Sequence, residues 1–384
     1  MALGMCVRSF PHTTRVIGLD ACHIKVRYGG ALLVMTVLDG DGNVFPAALG
    51  IAESENVETW FWFIALVQTA FQTGLGDGLV VLSDREKGLD AALKDLLPAA
   101  AHSYCVYHIE KNVKSTFHTS LDGLLFRAAK ASDEAAFNEV LNQITTLHPA
   151  AGRYVEAIER AKWARAFFPG RRYGHVTSNV SESMNWWLDE ARHLNPVALF
   201  AVYIRRLNQL FERRRMKYGS MVPTDLPQKV SKKFTKSLEQ SRKLRVLRHT
   251  TTLFEVQSLN DPRQFRVVDL ETLSCSCGFY REHGIPCRHM CAAALSVKVH
   301  PKTFIIPERS REALIQTYDG VTIPIDLGAL TDDGLKGPTG TKKRGRPKEK
   351  RIRSATEKGP RNTVKCGRCR KRGHNKRSCK AVID

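Results

Sequence analysis

The sequence predicts an α/β layered domain over its first two hundred residues, followed by small cysteine- and histidine-rich modules and a basic tail. Three observations carry this. Short apolar runs alternate with helix-period segments as far as Tyr107. Six of the ten cysteines fall into two clusters that each include a histidine. The formal charge is +21, and residues 331–384 supply 14 of that surplus, with 19 Lys or Arg against 5 Asp or Glu.

Val16-Ile17-Gly18-Leu19-Asp20-Ala21-Cys22 is a short apolar run that ends beside an acid. Ala31 to Leu38 and Val44 to Ala52 are two further runs, and Asp39-Gly40-Asp41-Gly42-Asn43 between them is hairpin turn chemistry. Val57 to Thr73 is expected to be a helix with Trp60, Ile64, Val67 and Phe71 on one face. A fourth strand is expected over Gly78 to Asp84, a helix over Lys87 to Leu97 and a fifth strand over Ser103 to Tyr107.

Strands ending in Asp20 and Asp84 project two carboxylates at one sheet edge. Paired carboxylates suit Mg²⁺ or Mn²⁺, and two such ions serve phosphodiester chemistry. Aspartate also ends strands because turns favour it, and that reading stands beside the first. Glu182 has two readings as well. Asn179 as N-cap with Glu182 three residues on is a capping box, and the same glutamate is a candidate third metal ligand.

The segments Gly18-Leu19-Asp20-Ala21-Cys22-His23, Tyr28-Gly29-Gly30, Leu82-Ser83-Asp84-Arg85-Glu86-Lys87-Gly88, Cys105-Val106-Tyr107-His108 and Thr177-Ser178-Asn179-Val180-Ser181-Glu182-Ser183 occur in this order. Over residues 14–195 they resemble the transposase domain of Mutator-like elements. The resemblance implies a ribonuclease-H-like fold with an all-helical insertion, here about 109–175. It also implies a catalytic triad of Asp20, Asp84 and Glu182 that binds Mg²⁺ or Mn²⁺. The family's Cys-x-x-His pair corresponds to Cys105 and His108. On an extended strand residues three apart face opposite sides, so a structural or substrate-positioning role is expected for the pair rather than a third zinc site. Members of the family usually carry an upstream DNA-binding domain, whereas about 13 residues precede the first strand here. Truncation, or target recognition moved to the C-terminus, is the expectation.

Asn195-Pro196 is a helix start, and Leu199, Phe200, Tyr203, Ile204, Leu207, Leu210 and Phe211 form one apolar stripe. This opens a helical connector over 196–250. The basic run Arg213-Arg214-Arg215-Met216-Lys217 reads either as a DNA-facing patch or as a solvated helix end that suits the dipole. The polar, basic stretch 220–250 suggests no function.

Leu253 to Leu259 and Gln264 to Leu270 alternate like two strands, with Asn260-Asp261-Pro262-Arg263 turning between them. They lead into Cys275-Ser276-Cys277 and Cys287-Arg288-His289, which matches a closed Cys₃His structural zinc site, with a helix starting at Cys287. Cys291 is expected in the core of that helix. This pattern, with Gly284-Ile285-Pro286 before the second pair, resembles the SWIM zinc finger over residues 252–297. A second structural zinc site is expected at Cys366, Cys369, His374 and Cys379, whose spacing over 366–379 resembles a CCHC zinc knuckle. Its loop, Arg370, Lys371 and Arg372, lacks the aromatic residues that stack on bases, so salt-sensitive phosphate contact is expected.

Residues 331–364 have the composition of a disordered basic linker. Within 342–348, Arg344-Gly345-Arg346-Pro347 resembles an AT-hook, which implies A·T-rich minor-groove DNA as partner. A nuclear import signal and a plain basic linker are the competing readings. Cys6, Cys22, Cys105 and Cys291 show no pairing logic, no signal peptide opens the chain, and Trp60 to Ala70 is too short to cross a bilayer. An intracellular, nuclear protein without a membrane partner is expected. Two functions follow: a transposase-derived zinc- and nucleic-acid-binding protein associated with DNA in a regulatory role, which the sequence favours, and an active DDE-type transposase. RNA remains a further partner for the knuckle, and the oligomeric state is not legible.

Overall fold

Strand register organises the first half of the chain. The computed structural model describes residues 1–26, 29–71, 78–177, 179–259, 265–324 and 326, with the backbone alone for residues 87 and 179–182. A short helix α1 (Gly4–Ser9) precedes three antiparallel strands, β1 (Val16–His23), β2 (Ala31–Leu38) and β3 (Val44–Ala52). Asp39 tightens the turn between the last two by accepting at Oδ1 from Asn43 N across 2.7 Å. All eight residues of β2 are buried, so the sheet is covered on both faces.

Helix α2 (Val57–Ala70) begins at a capping box of Asn56 and Thr59 and buries Trp60, Phe63, Ile64 and Val67. β4 (Val80–Ser83), α3 (Lys87–Leu96) and β5 (Ala101–Tyr104) follow. The sheet order is β3-β2-β1-β4-β5, with β1–β4 and β4–β5 parallel. Two expectations shift here. β1 runs on to His23, so Asp20 lies inside a strand rather than at its end. β5 stops at Tyr104, because Cys105 is the N-cap of α4 (Val106–Phe117).

α4, α5 (Leu124–Lys130), α6 (Glu134–Leu147) and α7 (Pro149–Glu156) enclose a core of their own around Ile109, Val113, Leu125, Phe137, Ile144 and Trp163. α8 (Asn179–Trp187) then returns to the sheet. The residue before it and the side chains of Asn179 and Glu182, on which the expected capping box depends, lie outside the described residues.

α9 (Pro196–Gly219) starts as expected, with Asn195 Oδ1 accepting from Ala198 N at 2.9 Å. Its stripe joins the sheet's own core with Phe10, Phe45 and Phe71, and each buried large side chain contributes about 1.5–3 kcal/mol. The basic end of α9 has neither expected role throughout. Arg214 donates to Tyr318 Oη (2.7 Å) and Val44 O (3.0 Å), and Arg215 donates to the carbonyls of Tyr318 and Gly320, both at 3.0 Å. These two arginines clamp a distant segment to the sheet.

α10 (Gln228–Ser241) falls within the expected helical connector, whereas β6 (Leu244–Arg248) makes its last part a strand, because it pairs with the strand that follows. β6 is the first strand of a second antiparallel sheet, with β7 (Leu253–Ser258), β8 (Phe265–Asp269) and β9 (Ser274–Cys275). The expected turn at 260–263 lies outside the described residues. α11 (Phe279–His283) and α12 (Arg288–Ser296) follow, and Phe254, Val256 and Val268 pack against Met290 and Ala293. Cys291 is fully buried, as expected. α13 (Arg311–Thr317) returns to the first core through Leu314. Among the described residues no helix is long and apolar enough to cross a membrane.

Candidate active site and metal centre

Parallel pairing of β1 and β4 aligns Gly18 with Leu82. Beyond that pair, Asp20 lies inside β1 and Asp84 follows Ser83, the last residue of β4. Their carboxylates act on each other: burial and then the Asp84 charge push the Asp20 carboxyl up to about 7, partly offset by the Ala21 amide, His108 and Asn185. Asp20 Oδ1 accepts from Ala21 N at 2.9 Å, and Oδ2 accepts from Asn185 Nδ2 at 2.8 Å. Asp84 Oδ1 accepts from Glu86 N at 3.1 Å. A divalent cation beside Asp20 would offset the burial and the Asp84 charge that oppose its ionisation.

Glu55, in the loop before α2, joins this acidic edge. Burial first, then Asp84, raises its carboxyl above the ordinary range. Cys105 and His108 lie at the start of α4 rather than on a strand, because the helix begins at Val106. Helix geometry therefore replaces the opposite-face argument for that pair, and the His108 charge reaches Asp20. Glu182 is placed by its backbone alone, in α8, three residues before Asn185. Asn185 and Glu55 were missed from sequence; for Asn185 a signal existed in its three-residue helical spacing from Glu182.

The second cluster has the donor set and spacing that could hold a metal ion. One ligand atom from each of Cys275, Cys277, Cys287 and His289 lies within 4.8 Å of the others. Separations are 3.5 Å between the sulfurs of Cys275 and Cys277, and 3.7 and 3.8 Å from His289 Nδ1 to the sulfurs of Cys275 and Cys287. A tetrahedral zinc ion with ordinary bond lengths needs edges of about 3.8 Å between sulfurs and about 3.6 Å from sulfur to nitrogen. Hydrogen bonds from Cys275 and then Cys287 hold the Cys277 thiol far below its ordinary value, while Cys275, donating to it, is pushed up to about 12.

Residues 16–112 match the MULE transposase domain family, and residues 254–298 match the SWIM zinc finger family. The chain carries a MULE transposase domain and a SWIM zinc finger. Over 176 residues it is also 24% identical to the transposase for insertion sequence element IS1081 of Mycobacterium tuberculosis, covering 42% of each chain. The corresponding transposase of Mycobacterium bovis gives the same identity and coverage. The chain thus spans less than half the length of these curated relatives. The MULE match contains Asp20, Asp84, Cys105 and His108 and ends before Glu182, and the SWIM match contains all four clustered ligands.

The SWIM finger is fastened to the segment that leads into α8. Arg165 Nη2 donates to Cys277 O at 3.0 Å, and Arg171 Nε donates to Arg281 O at 2.8 Å. Tyr173 N donates to Glu282 O at 3.0 Å and Gly174 N to Glu282 Oε1 at 2.9 Å. Two residues later, Val176 O accepts from Val106 N at 2.9 Å, which links this segment to the start of α4. The expected AT-hook residues Arg344, Gly345, Arg346 and Pro347, the knuckle ligands Cys366, Cys369, His374 and Cys379, and Arg370, Lys371 and Arg372 lie outside the described residues.

Proposed function

We propose that this chain is a transposase-derived zinc protein that associates with DNA, and that its α/β core is a ribonuclease-H-like domain holding divalent cations at Asp20, Asp84 and Glu182. The observation that supports the reading is that Asp20 inside β1 and Asp84 directly after the end of the parallel strand β4 interact electrostatically, within the segment that matches the MULE domain. The strand order β3-β2-β1-β4-β5, with three antiparallel strands and two parallel additions, supports the fold assignment. The helical repeat puts positions 182 and 185 on one face of α8, and Asn185 contacts Asp20, which supports Glu182 as the third ligand.

In this reading the SWIM cluster holds one zinc ion and the knuckle a second. Arg344 and Arg346 of the tail enter an A·T-rich minor groove, and the remaining basic residues contact phosphates. The charge surplus also serves nuclear import. Bound at the acidic centre, two divalent ions would activate a nucleophile and stabilise a leaving oxygen in phosphodiester cleavage. The chain's own residues orient and crowd the carboxylates there.

A second reading, an active DDE-type transposase, is favoured by the presence of all three acids in sequence. Mg²⁺- or Mn²⁺-dependent nicking or joining of DNA that vanishes in Asp84→Ala establishes it. Salt-sensitive DNA binding without such activity leaves the regulatory binder, and absence of DNA binding removes both.

A further inference from the structure

We propose that Asn185 is a positioning residue of the acidic centre, whose amide fixes the Asp20 carboxylate for a divalent cation and ties α8 to β1. The inference rests on the metal-site reading above and deepens it. Asn185 Nδ2 holds Oδ2 of Asp20 at 2.8 Å, while Ala21 N holds Oδ1 at 2.9 Å. With both oxygens engaged the carboxylate plane cannot turn, yet each oxygen keeps a further lone-pair direction for a cation.

The chemical type of the partner matters. A lysine or arginine here would neutralise Asp20 and compete with the ion, and a second carboxylate would add to the repulsion from Asp84. A neutral amide orients the carboxylate and leaves its charge available, as outer-shell donors do around bound metals.

A second observation points to the same ligand. Oδ1 of Asn185 is buried and has no hydrogen-bond partner. Buried polar atoms are nearly always satisfied. An amide oxygen is a hard ligand of the kind Mg²⁺ and Mn²⁺ take, and it also accepts a hydrogen bond from a water in their shell. Asn185 also follows Glu182 by three residues on one helix, so its anchor sets the approach of that helix to Asp20.

Mn²⁺ titration of the zinc-loaded full chain, read by the electron-spin signal of the free ion, tests this. Asn185→Leu is expected to weaken Mn²⁺ binding about 10- to 100-fold, with zinc content unchanged and a cooperative thermal melt retained. Where Asn185→Leu loses its cooperative melt, Asn185→Ser is read instead and is expected to show a smaller loss of affinity. Mn²⁺ uptake that is abolished by Asp20→Ala but stays within twofold of the parent in the folded Asn185 variant overturns the positioning role alone. A parent chain that takes up no Mn²⁺, or whose uptake survives Asp20→Ala, overturns the metal-site reading and the role of Asn185 with it.

Discussion

Arg165 donates a hydrogen bond to the backbone carbonyl of Cys277 across 3.0 Å, joining the loop after the helical core to a ligand of the Cys₃His cluster. The contact lies among others from Arg171, Tyr173 and Gly174 to α11, so the order of residues 165–176 depends on the finger being folded. Because metal binding energy serves as folding energy in a module this small, chelation reaches beyond the module itself. Stripping zinc is expected to speed amide exchange at Tyr173 and Gly174 by an order of magnitude or more, alongside residues 275–297. Hydrogen exchange confined to the finger would sink this coupling. Cys287→Ser is expected to lower the zinc content by one ion per chain, measured by emission spectrometry.

Arg214 is the cation in a buried polar knot. Its Nη1 donates to Tyr318 Oη at 2.7 Å, and that hydroxyl donates to Asp39 Oδ2 at 2.7 Å. Asp39 is fully buried. Removing one member of such a set leaves a charge without compensation, which costs about 3–5 kcal/mol. Arg214→Ala is expected to lower the free energy of unfolding by that amount, and Tyr318→Phe by about 1–3 kcal/mol. Urea titration checks both, and a change under 1 kcal/mol for Arg214→Ala would show the knot to be dispensable.

His102 makes stability depend on acid. Burial, and then Lys162, push its imidazole down to about 4, and Asp90, at 3.3 Å, pulls the other way and loses. An unfolded histidine takes its proton near 6.5. Between pH 6.5 and 4 the unfolded chain therefore binds more protons, and stability falls as pH drops through that window, by about 3 kcal/mol from this one group. The measurement is the imidazole chemical shift of His102. Titration near pH 6.5 in the folded chain contradicts the prediction.

Gly284 ends α11 with φ +62°, and a Cβ there would come within 2.3 Å of Ile306 Cδ1. Gly284→Ala adds about 1–2 kcal/mol of backbone strain to that overlap. Zinc affinity, measured by competition with a chromogenic chelator, is expected to fall about tenfold or more, since ~1.4 kcal/mol is one decade. Parent-like affinity would mean the loop yields freely.

Periodicity made much of the architecture legible. The two hairpin strands over Ala31–Leu38 and Val44–Ala52 are bounded as the apolar runs suggested, because their turn residues mark both ends. The clustering of Cys275, Cys277, Cys287 and His289 was legible from spacing alone, since coordination chemistry tolerates few alternatives. Local pattern failed where tertiary contacts decide. β6 hides in a basic stretch because only its partial burial against the finger makes it a strand. Arg214 and Arg215 looked like surface charge because the groups they bind, Val44 and residues 318–320, are distant in sequence. Asn185 went unread for the same reason, since its partner is 165 residues away.

That separation between Asn185 and Asp20 has a kinetic consequence. The helices from α4 to α7 enclose a core that short-range contacts can assemble early, whereas α8 must find β1 across the whole intervening loop. The docking of α8 on Asp20 is therefore expected to follow the assembly of these helices. A chain arrested before that step is expected to show helical secondary structure while Asn185 is still away from Asp20.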